Sequence, residues 1–229
     1  MFDRIIVSTD ENPMFLQFVP TVAKAWKKYF PEKKLSIAFI SNKTYDDKLV
    51  IEMQEYAEVK IYNAIPGIPV ANQAKISRHI LASEYKGDIC MIEDIDTIPL
   101  QRHYFENRTS KFEGGVLAVG HEVLSPTVDT GKFPMSTMTA SGETFKQILN
   151  PNNLEYVELI KSFDNLGVHD NRESISNRPE DFSDESLIRY LLNIWGGPIT
   201  KVNRNVDIKI DWLDRSWWNI DINRLKNDD

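Results

Sequence analysis

From residue 4 onward the chain alternates short apolar runs with longer segments of helical period. Residues 4–8 form a β-branched, apolar run that reads as a strand, and Thr9-Asp10-Glu11-Asn12-Pro13 supplies turn residues behind it. Residues 15–30 place Phe18, Val22, Ala25 and Trp26 near helical spacing and stop at Pro31. The pattern then repeats: strand at 35–40, helix at 46–56, strand at 59–65, a Pro66-Gly67-Ile68-Pro69 loop, helix at 70–85 and strand at 88–95. Strands alternating with helices of this length predict an α/β fold whose mostly parallel central sheet is covered on both faces by helices. In such sheets ligands bind beyond the carboxyl ends of the strands, and Asp10, Asp94 and Asp96 all fall there.

After Leu100 the regular alternation stops. Residues 114–120 read as a further strand and 141–149 as a short helix before Asn150-Pro151. Residues 167–183 are polar and read as an exposed loop. Residues 184–195 carry Leu187, Ile188, Leu191, Leu192 and Trp195 on one apolar stripe, with Ser183 placed to cap the start and Gly196-Gly197 to end it. Strand character returns at 199–210, and the tail holds Trp212, Trp217 and Trp218. With no repeat, low-complexity tract or linker, residues 1–229 read as one domain, whose first half, 1–100, is nucleotide-binding-like and whose second half, 101–229, shapes a substrate site.

Charge narrows the class. The 34 acidic and 27 basic residues of the 229 leave a net charge of −7, without the basic stripe of a nucleic-acid binder. The single cysteine, Cys90, lies inside an apolar run, reads as a small buried hydrophobe and points to a reducing, cytoplasmic setting. Met1-Phe2-Asp3-Arg4-Ile5-Ile6-Val7 has a strand pattern rather than the basic start of a signal peptide, and no run is long enough for a membrane span.

The densest chemistry lies at Asp88-Ile89-Cys90-Met91-Ile92-Glu93-Asp94-Ile95-Asp96-Thr97-Ile98-Pro99. An apolar run ends in two carboxylates one residue apart. Continued as a strand, it directs Asp94 and Asp96 to the same side. Two hard oxygen ligands that leave room for waters and phosphates suit Mg²⁺ or Mn²⁺. In the preceding helix Asn72, Lys75, Arg78 and His79 fall on one face and make it cationic, while Ile76, Ile80 and Leu81 serve the core.

Three βα units followed by a hydrophobic strand ending in Asp-x-Asp resemble a glycosyltransferase of the GT-A type, a Rossmann-like fold. The resemblance covers about residues 4–149 in organisation and Asp94-Ile95-Asp96 in strict motif. It implies transfer of a sugar from a nucleotide-diphosphate donor, UDP-sugar favoured, to a glycan or glycoconjugate acceptor. It also implies that Asp94 and Asp96 hold Mn²⁺ or Mg²⁺ against the diphosphate. By the same resemblance Lys75 and Arg78 face the donor, Thr9 and Asp10 close the nucleoside pocket, and Asp184 or Glu185 serves as the base on the acceptor hydroxyl. Asp184 and Glu185 also suit a helix start on dipole grounds alone. Arg215 can pair with a diphosphate, and the hydroxyl-rich stretch 134–145 resembles an acceptor-side loop or a plain strand–turn–helix connection.

The chain departs from the family pattern in one respect. Its histidines are His79, His103, His121 and His169, with none in the tail to serve as a third metal ligand: either that protein ligand is absent, or an acidic residue such as Asp211 takes its place, or the dependence on metal is weaker than the resemblance implies. Two other readings use the same residues. A phosphohydrolase of the haloacid dehalogenase type also places Asp-x-Asp after a strand, but its motif runs on through Gly-Thr, whereas Thr97-Ile98-Pro99 follows here. A non-catalytic nucleotide-sugar-binding protein would keep the fold and the aromatic tail.

Overall fold

The computed structural model describes residues 2–119, 133, 135–166 and 184–202. Along them run β1 (Arg4–Asp10), α1 (Pro13–Leu16), α2 (Val19–Tyr29), β2 (Lys34–Ile40), α3 (Lys48–Gln54), β3 (Glu58–Tyr62), α4 (Val70–Glu84) and β4 (Ile89–Ile92). The second half contributes α5 (Arg102–Thr109), β5 (Val116–Val119), β6 (Met138–Ser141), α6 (Gly142–Leu149), α7 (Tyr156–Asn165), α8 (Asp184–Trp195) and β7 (Ile199–Val202). The strands join in one sheet of order β3-β2-β1-β4-β6-β5-β7. Neighbours are parallel except β6, which runs antiparallel to β4 and β5. The α/β architecture with a mostly parallel sheet is therefore as the pattern predicts.

Both faces are covered, which is why β1 is buried along almost its whole length. Ile5 and Val7 pack with Val22 and Trp26 of α2, Val50 and Met53 of α3 and Phe105 of α5. Ile6 points the other way, into a core shared with Ile76 and Leu81 of α4, Phe145 of α6, Phe163 of α7 and Leu187 and Leu192 of α8. Among the described residues no helix is long and apolar enough to cross a membrane.

Several boundaries differ from the sequence expectation, each for a local reason. The 15–30 helix is two helices, because Pro20 in the first turn of α2 has no N–H with which to continue α1. The 46–56 helix starts only after Asp47, whose carboxylate caps it by accepting the Leu49 N–H at 2.9 Å. The 59–65 strand stops at Tyr62, and Gln73 then takes the place of a pairing strand. Its side chain accepts the Ile65 N–H at 2.9 Å and donates to the Ile65 carbonyl at 3.0 Å. The stretch 88–95 is strand only over Ile89–Ile92. Helices α5 and α7 are additions to the sequence reading.

Gly142 opens α6 where that helix leans on the end of α4. A Cβ there would sit 2.2 Å from the Tyr85 carbonyl oxygen and 2.8 Å from that of Ala82, both backbone atoms that cannot swing aside. Gly142→Ala is expected to lower stability by about 1–3 kcal/mol, read by urea unfolding. A change within about 0.5 kcal/mol, the usual range for a harmless surface substitution, would show that α6 can slide to make room.

Candidate active site

Three elements bring their functional residues to one edge of the sheet. Ile6 of β1 pairs with Ile92 of β4, so the carboxyl ends of both strands lie side by side. Beyond Ile92 the chain leaves the sheet, and the Thr97 N–H closes a turn on the Asp94 carbonyl at 3.0 Å. The common side expected for Asp94 and Asp96 therefore does not come from a continuing strand. Within the turn, Ile95 is buried while Asp94 is half-buried and Asp96 exposed, so the apolar residue anchors the turn and its flanking carboxylates lie outward.

Helix α4 runs beneath this turn and delivers Arg78. The side chain is buried, and its guanidinium spans three acceptors. Nη1 donates to Asp94 Oδ1 at 2.5 Å and to the Glu93 carbonyl at 3.1 Å, and Nη2 donates to Asp184 Oδ2 at 3.1 Å. Burial works against the charge, but the Asp94 and Asp184 carboxylates outweigh it and hold the pKa above the ordinary arginine value. Asp184 is the first residue of α8, where the helix dipole favours a carboxylate. One cation thus ties the β4 turn to a helix that begins 106 positions further along than Arg78.

Glu93 is the residue that the sequence reading passes over. It is fully buried, with Oε1 accepting the Thr137 hydroxyl at 2.6 Å and Oε2 accepting the Ser136 hydroxyl at 3.0 Å. Burial pushes its pKa up to about 7, against the pull of the Thr137 hydroxyl. The available signal was a carboxylate inside an otherwise apolar run, on the same side of the strand as Met91. Ser136 and Thr137 belong to the hydroxyl-rich stretch noted above, and the strand, Ser141 cap and helix that follow make it a strand–turn–helix connection.

The remaining candidates divide. The α4 face read as cationic is mostly interior: Asn72, Arg78 and His79 are buried, and Lys75 alone of the four is exposed. Burial, aided by the Arg78 charge, holds the His79 pKa well below its usual value, so the ring is neutral. Among the described residues, none partners the side-chain polar atoms of Asn72 and His79 in a hydrogen bond. Thr9 is buried and donates to the Asp10 carbonyl, and Asp10 Oδ1 accepts the Asn12 N–H at 3.0 Å, so both serve the turn into α1. Glu185, half-buried, accepts the Phe133 N–H on its main-chain carbonyl at 3.1 Å. Arg215, Asp211, His121, His169, Ser183 and the tryptophan tail lie outside the described residues.

Among the described residues no group of three His, Cys, Asp or Glu side chains is arranged to hold a metal ion. What Asp94 and Asp96 offer is two carboxylates at an open turn, one of them partly neutralised by Arg78. That donor set fits Mg²⁺ or Mn²⁺, which accept one or two carboxylates and fill the other positions with waters and phosphate oxygens.

No protein-family model and no curated protein sequence matches the chain. Solved structures do. The galactosyltransferase LgtC in complex with donor and acceptor sugar analogs superposes with a TM-score of 0.50 at 10% identity, over 88% of this chain and 73% of that one. An active-site variant of LgtC gives a TM-score of 0.52 at 9% identity over the same shares. The fold is that of a GT-A-type glycosyltransferase. Within a GT-A fold, the β4 turn, Arg78 and the start of α8 lie together at the sheet's carboxyl edge, where α/β folds place their ligands.

Proposed function

We propose that this protein is a nucleotide-sugar glycosyltransferase. It transfers a sugar from a nucleoside-diphosphate donor, with UDP-sugars favoured, to a glycan or glycoconjugate acceptor. The observation that supports this most is the acidic turn at Asp94–Asp96, set at the carboxyl edge of a GT-A fold and pinned by Arg78. LgtC is a galactosyltransferase with donor and acceptor sugar analogs bound, so catalysis of this class is known on the same architecture.

The chemistry asks for what these residues offer. Breaking a sugar–phosphate bond builds negative charge on the departing diphosphate. A Mn²⁺ or Mg²⁺ ion held by Asp94 and Asp96 would offset that charge. Arg78 donates to Asp94 Oδ1 and so holds that carboxylate in place as charge develops on the leaving group. The exposed Lys75 lies on the same helix, three residues before Arg78, and is the cation we assign to an anionic donor. Asp184 and Glu185, at the start of α8, are the acidic residues available to an acceptor hydroxyl.

Asp96→Ala tests the assignment with little risk to folding, because Asp96 is exposed. Release of UDP from UDP-glucose and UDP-galactose in Mn²⁺ is expected to fall about 100-fold or more, with the unfolding temperature unchanged. Wild-type rates in the variant would remove Asp96 from the site.

A further inference from the structure

We infer that Glu93 is a positioning residue, which locks the Ser136–Thr137 turn against the end of β4 so that this turn and the Asp94–Asp96 carboxylates face one bound donor. The inference rests on the glycosyltransferase reading above and adds a residue to it. Four observations carry it.

Glu93 is immobilised through its main chain. Its N–H donates to the Ile6 carbonyl at 2.9 Å and its own carbonyl accepts Arg78 Nη1 at 3.1 Å, so strand β1 and helix α4 both hold it. Its carboxylate is then spent on the facing connection, one oxygen on Thr137 and the other on Ser136. The backbone pairing of β4 with β6 ends at Ile92 and Met138. Glu93 and Thr137 are the next residue on each strand, so the side-chain bond carries the connection on where the backbone ladder stops.

Thr137 has a φ of +59°, in the left-handed region that β-branched residues avoid. Glycine or asparagine would take that conformation more readily. A threonine persists there only where its surroundings over-determine it, and such sites gather where a ligand is gripped. The surroundings here are the Glu93 carboxylate and the hydroxyl it accepts. For packing alone, a buried hydrophobic residue would do at least as well as a buried carboxylate. The identities of both residues are therefore explained by fixing the turn beside Asp94.

The test compares wild type with Glu93→Leu, Glu93→Gln and Thr137→Val. For each, the unfolding temperature, UDP affinity in Mn²⁺ by calorimetry, and kcat and KM for UDP release from UDP-glucose and UDP-galactose are measured. Glu93→Leu removes both acceptors and fills the space. It is expected to remain folded, to bind UDP with Mn²⁺ as wild type does, and to lose at least about tenfold in kcat, since the turn no longer holds the sugar in place. Glu93→Gln keeps an acceptor oxygen for Thr137 and is expected to recover most of that loss. Thr137→Val removes the bond from its other end and is expected to match Glu93→Leu, which keeps the test decisive if the leucine variant fails to fold. A wild-type kcat in Glu93→Leu or Thr137→Val overturns the inference, as does a fall in UDP affinity equal to the fall in kcat. If wild-type protein neither binds UDP nor cleaves either donor, the UDP-sugar reading of the site fails and the inference fails with it. If wild type does both and the variants match it, the inference alone is lost.

Discussion

Replacing Arg78 by methionine is expected to destabilise the protein by about 3–5 kcal/mol, the usual cost of removing one partner from a buried ion pair. The guanidinium is buried, and so is Asp184, whose side chain is only 9% exposed. Without Arg78 that carboxylate has to be buried without its counter-charge, or α8 has to pull away from α4 to hydrate it. The Glu93 carbonyl loses a donor as well, and the Asp94 turn loses its tether. Methionine has a similar length and no charge, so the change reports the ion pair rather than a void. Arg78→Lys is expected to recover only part of the loss, because one ammonium cannot span Asp94 and Asp184 as the planar fork does. Urea unfolding of the three proteins checks this. A loss below about 1 kcal/mol in Arg78→Met, the scale of an exposed pair, would show that Asp184 reaches water or another cation.

The second large effect is a pH dependence set by Glu93. Its pKa in the folded chain is raised to about 7 by burial, whereas a free glutamate titrates near 4.5. Between these values the folded chain holds a proton that the unfolded chain has released, so stability falls as pH rises through that window. Below about 4.5 the contribution is fully present, and above about 7 it is gone. At about 1.4 kcal/mol per pH unit, the difference across the window is on the order of 3 kcal/mol. Other carboxylates add their own slopes, so the quantity to read is the difference between wild type and Glu93→Gln, in EDTA, from pH 5 to 8. Wild type is expected to lose stability relative to the variant as pH rises. Parallel curves would mean that the carboxyl is ionised throughout.

How far the sequence could be read follows from which interactions set each feature. Helix α8 was legible to the residue, because its stripe of Leu187, Ile188, Leu191 and Leu192 and the glycines behind it are local. Helix α4 and strands β1 and β2 were legible for the same reason. Helix α7 has Tyr156, Leu159, Ile160 and Phe163 at helical spacing and was open to the same reading. Helix α5 was harder, since its buried positions include Arg108 and Thr109. The reversal of β6 was beyond reach, because strand direction depends on the whole path of the chain, and so was the end of β3, where Gln73 takes over the pairing. At the candidate site, Asp94, Asp96 and Arg78 stand out from local pattern, and Asp184 from the family resemblance together with its place at a helix start. That Arg78 joins Asp94 to Asp184 depends on how α4 and α8 pack, which no spacing in the chain reveals. The same packing turns Asn72 and His79 inward, against the expectation of a cationic face.

The most direct test of the central claim is thermal unfolding of wild type and Asp96→Ala with UDP, GDP, CMP and dTDP, each in Mn²⁺, Mg²⁺ or EDTA. A ligand that binds only the folded chain stabilises it by about 2.7 kcal/mol at a hundredfold excess over Kd. The predicted result is a rise in unfolding temperature with one nucleoside diphosphate, UDP foremost, that requires the metal and disappears in Asp96→Ala. No rise with any nucleotide, or a rise of equal size in EDTA and in the variant, would contradict a metal-assisted nucleotide-sugar site at Asp94–Asp96.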